Sequence, residues 1–137
     1  MGVAYYPVFQ DGVDEWTVDI DGKCLAQAGQ LVDSVCRKAS VEPFGEFCAA
    51  SSNDFIIHVL GGDPDDPSTY DASQVPAETW FDAQRGLETV RVLLEYVRSG
   101  SGDIDNRDGV LQDLVGFETA LNEAVQRGTG WRLGVDY

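Results

Sequence analysis

The chain is short of basic residues and of histidine, and it has no long apolar run. Its 137 residues include nine Lys and Arg against 24 Asp and Glu, so the formal net charge is −15. Binding to nucleic acid relies on Lys and Arg that neutralise phosphates, and attraction to anionic membranes relies on the same residues. We therefore expect neither nucleic acid nor a membrane among the partners. No stretch approaches the ~20 consecutive apolar residues that span a bilayer.

The sequence also lacks the signs of a disulfide framework. Its three cysteines, Cys24, Cys36 and Cys48, form no C-x-x-C pair. An odd number at this spacing indicates buried free thiols in a reducing compartment. The N-terminal residues have no basic region and no apolar core of the kind a signal peptide carries. These observations predict a cytoplasmic protein.

What is present is enough apolar material for one domain. The chain is 43% hydrophobic and 10% aromatic. Intrinsic disorder goes with far fewer apolar residues than this, and the length is that of one ordinary domain. The sequence therefore predicts a single globular domain over residues 1–137.

Two kinds of periodicity predict the secondary structure. Alternating or β-rich segments predict strands at 3–9, 15–20 and 131–137, the first two joined as a hairpin. Apolar residues at helical spacing predict helices at 23–38, 82–98 and 108–127, with Asp21 and Asp82 as caps of the first two. The order predicts an α+β fold: a small antiparallel sheet, made of the N-terminal hairpin and the C-terminal strand, with about three helices packed on one face.

The middle of the chain carries the strongest charge signal. Residues 39–84 contain nine acidic residues and no Lys or Arg. Within them the apolar run 55–60 fits a buried strand or a short helix equally well, because so short a run has no diagnostic period. Residues 61–79 predict a long acidic loop, and loops of that length are usually functional or mobile.

No residue pattern in the chain matches a known catalytic or metal-binding motif. Asp63, Asp65, Asp66 and Asp71 suit a hard cation, but a solvated turn or a surface patch explains them better. His58 is the only histidine, and two interpretations remain open: a core residue, or a catalytic base paired with a distant carboxylate. We expect no metal and no cofactor.

Three segments resemble known proteins. The stretch Trp80-Phe81-Asp82-Ala83-Gln84-Arg85-Gly86-Leu87-Glu88-Thr89-Val90-Arg91 is similar to a stretch of small uncharacterised bacterial proteins. The segments Gly22-Lys23-Cys24-Leu25-Ala26 and Gly134-Val135-Asp136-Tyr137 are similar to the same proteins. The resemblance implies a bacterial cytosolic origin. It carries no motif of known activity, so it transfers no functional residue.

Charge leads to the functional hypothesis, because an acidic surface attracts basic proteins and speeds their association. We expect a protein-binding module rather than an enzyme, of the type of an immunity protein or antitoxin that inhibits a basic toxin or nuclease. The expected binding residues are Asp63, Asp65, Asp66, Tyr70 and Asp71. Two alternatives remain: a small-ligand or enzymatic domain that uses His58 and nearby carboxylates, and a homo-oligomeric structural module.

Overall fold

The structure is a computed structural model that describes residues 3–12, 20–48, 52–76, 79–100, 102 and 104–136. The chain forms two compact units. The main unit comprises Met1–Cys48 and Trp80–Tyr137, and the insert unit comprises Ala49–Thr79. Each unit is described by itself below. The single-domain organisation stays a prediction.

The main unit holds the sheet and four of the helices. Strand β1 (Ala4–Phe9) pairs antiparallel with β2 (Trp131–Asp136). The helices are α1 (Lys23–Gln27), α2 (Gly29–Lys38), α4 (Ala83–Arg98) and α5 (Arg107–Arg127), and a single 3-10 turn spans Phe44–Phe47. This is the predicted α+β fold with a small antiparallel sheet. The second strand of the predicted hairpin, at 15–20, lies outside the described residues except for Ile20, which is not in a strand.

The sheet joins the N-terminal and C-terminal strands, as predicted. Phe9 pairs with Trp131, Tyr5 with Val135 and Tyr6 with Gly134. The ring of Tyr6 lies across Gly134, where a Cβ would fall 2.3 Å from the ring atoms. Glycine is thus the residue that lets this exposed tyrosine cover the neighbouring strand. Tyr137 lies outside the described residues.

Aromatic rings fill the centre of the main unit. Trp131 is fully buried, and its ring centroid lies 5.0 Å from that of Phe47. Phe44 contacts Phe117 edge-on with centroids 5.2 Å apart. The apolar stripes of α4 and α5 pack against this group. Edge-on and tilted ring pairs at these distances are favourable beyond the area they bury.

Two predicted helices have the expected bounds and caps. Helix α4 begins after Asp82, whose Oδ1 accepts a hydrogen bond from the N–H of Gln84 at 3.0 Å. Helix α5 ends at Gly128, which adopts the left-handed conformation with φ of 69°. Arg37 and Lys38 stand in the last turn of α2, where the helix dipole favours cations.

The prediction of one continuous helix over 23–38 is wrong. The helix breaks at Ala28, and Gly29 begins α2. A Cβ on Gly29 would lie 2.8 Å from the hydroxyl oxygen of Tyr5. The glycine therefore allows β1 to approach the junction of the two helices closely.

The prediction that Asp21 caps this first helix is also wrong. Gly22 occupies the N-cap position and no side chain caps the helix locally. The carboxylate of Asp113, on α5, does the capping instead: its two oxygens accept hydrogen bonds from the N–H groups of Gly22 and Leu25, both at 3.1 Å. Asp113 is only 4% exposed, so this contact is made inside the main unit.

The insert unit contains helix α3 (Ser52–His58), which resolves the ambiguous run at 55–60 as helix and not strand. Two short 3-10 turns follow, at Pro67–Thr69 and Ala72–Gln74.

No helix among the described residues is long and apolar enough to cross a membrane.

Candidate functional site

The insert unit is the more acidic of the two units. Its residues 49–79 include six acids and no Lys or Arg, and hence carry a formal charge of −6 with His58 neutral. The remaining 106 residues carry the other −9. The charge per residue is thus more than twice as high in the insert unit as elsewhere.

Backbone and hydroxyl hydrogen bonds hold the predicted acidic residues in a compact loop. Asp63 Oδ1 accepts from the N–H of Asp65 at 2.9 Å, and the backbones of Asp63 and Asp66 form a bridge. The hydroxyl of Thr69 joins the two ends, because it accepts from the N–H of Asp63 at 2.7 Å and donates to the carbonyl of Asp66 at 2.7 Å. The loop is ordered by its own side chains, as compact functional loops often are.

An Asp-x-Ser pattern occurs twice in this loop and has the same geometry each time. Asp66 caps the first 3-10 turn: its Oδ1 accepts from the N–H of Ser68 at 3.1 Å and from the Ser68 hydroxyl at 2.7 Å. Asp71 caps the second turn through Ser73 at 3.0 and 2.7 Å. In both cases the hydrogen bonds from serine lower the pKa of the carboxyl group, because they stabilise the charged form.

The structure brings most of the predicted binding residues together. Asp63, Asp65 and Asp66 share one closed loop, and Tyr70 packs over Gly62, where a Cβ would lie 2.9 Å from the Tyr70 Cβ. Asp71 follows directly along the chain. The four aspartates are exposed and Tyr70 is half-buried.

Sequence reasoning missed two apolar side chains on the same unit. Ile57 is 47% exposed and Val59 is 65% exposed, although one of the two interpretations of the run 55–60 was a buried strand. The run continues into the acidic loop, since the N–H of Gly62 donates to the carbonyl of Ile56 at 3.0 Å. The insert unit thus presents exposed apolar and acidic groups in one compact body. An isolated apolar run has no period that could have revealed which of its members face solvent.

His58 is exposed at the end of α3, and not a core residue. Among the described residues there is no group of three or more His, Cys, Asp or Glu side chains that could hold a metal ion.

The cysteines of the main unit are free, but they are not all buried as predicted. Cys36 is buried, and burial raises the pKa of its thiol to about 11. Cys48 is exposed beside Arg132, whose guanidinium lies 4.5 Å from the centre of the Trp80 ring. Burial of the sulfur raises the pKa of Cys48, and the charge of Arg132 offsets only part of the rise. Since the thiolate is the reactive form, this environment does not make a nucleophile.

Comparison with known proteins adds no relative: no family model matches the chain, and no significant match is found among curated proteins or solved structures. The resemblance of residues 80–91 to small bacterial proteins stays a prediction. The exposed groups of the insert unit, Asp63, Asp65, Asp66 and Asp71 together with Ile57 and Val59, are the candidate site.

Proposed function

We propose that the chain is a protein-binding module whose insert unit engages a basic protein, in the manner of an immunity protein or antitoxin that covers the cationic site of a toxin or nuclease. The observation that carries the proposal is the loop in which four exposed aspartates are held in place by hydrogen bonds. A nuclease has to gather cationic groups around the phosphates it binds, and such a surface is complementary to these aspartates.

Order in the loop favours tight binding. Ordering side chains at an interface costs about 0.5–1.5 kcal/mol for each flexible group. The carboxylates of Asp66 and Asp71 are already fixed by Ser68 and Ser73, so less of this cost remains to be met on binding. Their lowered pKa values keep both groups charged well below neutral pH.

Exposed apolar groups can supply the binding affinity that charge alone does not. Buried charge pairs mainly give specificity and fast association, whereas affinity depends on a few well-packed anchors. Ile57 and Val59 are exposed on the insert unit, where a partner could pack against them as such anchors. The formal charge of −9 on the main unit adds to the electrostatic field that attracts a basic partner.

The test is a comparison of three proteins in a pull-down from native lysate at low salt, followed by binding kinetics with any basic protein captured. The first is the wild type. The second carries Asp63→Asn, Asp65→Asn, Asp66→Asn and Asp71→Asn, which remove four charges but keep the Oδ1 acceptors that order the loop. The third is a matched control in which four exposed acids of the main unit are neutralised: Glu88→Gln, Asp105→Asn, Asp108→Asn and Glu123→Gln.

We expect the wild type and the control to capture the same basic protein and the insert variant to lose it. At low salt the association rate of the insert variant should fall at least about tenfold, because electrostatic steering contributes factors of this size or more. Equal binding by all three proteins would refute the role of the insert unit. An equal loss in both variants would assign the effect to net charge alone.

We also propose a cytoplasmic location, since Cys24, Cys36 and Cys48 are free thiols. The alternative that His58 acts in catalysis gains no support from its exposure on α3. The homo-oligomeric alternative has support from a different surface, on the main unit.

A further inference from the structure

A groove of about 430 Å³ runs along the main unit between α2 and α4. Its floor is apolar and consists of Leu31 and Val35 from α2 with Val92 and Tyr96 from α4. Leu31 is 36% exposed although its position in the helical period predicts burial. A smaller cavity of about 220 Å³ borders the same helix at Ala28 and Leu31. The concave surface therefore extends over α2 from Ala28 to Ala39, about 17 Å at 1.5 Å per residue.

Each helix also contributes one charged side chain to the groove. Lys38 stands on the wall made by α2, and Glu95 stands on the wall made by α4. The ion pairs within 4.0 Å in the described part of the chain are Arg85–Glu42, Arg91–Glu118 and Arg127–Asp11, so Lys38 and Glu95 are not joined to each other.

Basic side chains also stand beside the groove on α4. Arg91 and Arg98 line the neighbouring cavity on that helix, together with Glu95 and Glu118. With Lys38, and with Asp105 of the smaller cavity, these linings hold three basic and three acidic side chains, hence a formal charge of zero. The whole chain carries −15. Two copies of so acidic a chain repel each other, and a face of zero formal charge adds little of its own to that repulsion.

We propose that the groove between α2 and α4 is the contact surface of a two-fold symmetric homodimer. In a two-fold interface residue i of one copy meets residue j of the other, and j meets i. A wall with Lys38 and a wall with Glu95 are complementary in this sense: Lys38 of each copy meets Glu95 of the other. Leu31 and Tyr96 are covered in the same step. An acidic peptide would meet Glu95 and a basic one would meet Lys38, whereas a second copy satisfies both.

Reversing the charges of Lys38 and Glu95 tests the proposal, and combining the two reversals should restore the contact. Lys38→Glu alone places glutamates opposite each other twice in the dimer, and Glu95→Lys alone places lysines opposite each other twice. An equimolar mixture of the two variants restores both opposite-charge contacts in a heterodimer. The double variant Lys38→Glu with Glu95→Lys restores them in a homodimer. Sedimentation velocity over a range of concentrations measures each association constant, with a fluorescent label at the N-terminus of one variant in the mixture.

We expect each single variant to associate at least about tenfold more weakly than the wild type, because like charges placed opposite each other are costly at an interface. The mixture and the double variant should return to within about threefold of the wild type. Added salt should strengthen the wild-type dimer, since it screens the repulsion between two chains of −15 but leaves the apolar contact intact.

The apolar floor is tested with a matched pair of variants. Leu31→Glu introduces a charge into the groove and should abolish the dimer. Val115→Glu introduces the same charge at a 39% exposed position on α5 and should leave it unchanged. Thermal melts confirm that both variants fold. A wild type that stays monomeric at every concentration and salt level overturns the proposal. So does a dimer that responds equally to both glutamates, or single variants that the mixture fails to rescue.

Discussion

At the scale of single residues, the most consequential group is one buried carboxylate. Asp113 lies on α5 and caps α1. Both of its carboxylate oxygens accept hydrogen bonds from backbone N–H groups at the start of that helix. The sequence predicted a local cap at Asp21, because caps are usually adjacent to their helix. Nothing in the local sequence indicates that the acceptor comes from a residue 88 positions from Leu25, since that depends on how the two helices pack.

We predict that Asp113→Ala lowers the free energy of unfolding by about 2–6 kcal/mol, because two buried N–H groups lose their acceptor at about 1–3 kcal/mol each. Asp113→Asn should cost about half as much, since one oxygen remains to accept. Urea denaturation followed by circular dichroism measures both. Glu123→Ala, at an exposed site on the same helix, is the control and should change stability by less than about 0.5 kcal/mol. If Asp113→Ala lowers the free energy of unfolding no more than Glu123→Ala does, the capping role is contradicted.

At the scale of elements, regular periodicity predicted the parts of the fold that one segment determines. Helices α4 and α5 and strand β2 begin and end within a residue or two of their predicted bounds. The break at Ala28 was not predicted, although Gly29 was its visible sign, because the side chain packed against the junction, Tyr5, comes from β1. The groove between α2 and α4 was likewise beyond prediction, since it depends on the spacing of two helices. The acidic loop was predicted from composition, but its hydrogen bonds were not.

The junction of α1 and α2 gives a prediction of its own. Gly29→Ala should lower the free energy of unfolding by about 1–3 kcal/mol, because the new Cβ would lie 2.8 Å from the Tyr5 hydroxyl oxygen. In a Tyr5→Phe background the same change should be neutral or stabilise the protein by up to about 1 kcal/mol, since alanine favours helix over glycine. A double-mutant cycle of denaturation measurements isolates the coupling. A coupling energy near zero would show that the hydroxyl does not cause the break.

At the scale of the whole molecule, the net charge of −15 acts on stability as well as on binding. Like charges spread over a compact chain repel, and salt screens that repulsion. Raising the ionic strength from about 0.01 to about 0.15 M shortens the screening length from about 30 to about 8 Å. Folding should therefore become more favourable with salt, while capture of a basic partner becomes weaker and self-association stronger. Salt thus separates capture of a basic partner, which it weakens, from folding and self-association, which it favours.

We predict that the melting temperature rises over this range of salt. The rise should be smaller in the variant with Asn at 63, 65, 66 and 71, in which four charges are lost and −15 becomes −11. The main-unit control with four neutralised acids also has −11 and should show the same reduction if net charge governs the effect. Differential scanning calorimetry measures all three proteins. A melting temperature that does not change with salt would show that the charges are too well separated to matter.

The pairing of Ala4 with Asp136 brings together two segments from opposite ends of the chain. About 130 residues separate the two members of this pair, so it is a contact of very high sequence separation. The entropy of closing a loop must be overcome before such contacts contribute, and proteins rich in them fold slowly. We expect the helices to collapse first and to bring the ends into reach, with the sheet completed last. Trp131 is buried in β2, the pairing partner of β1, and its fluorescence can report on that final step once Trp16 and Trp80 are replaced by phenylalanine.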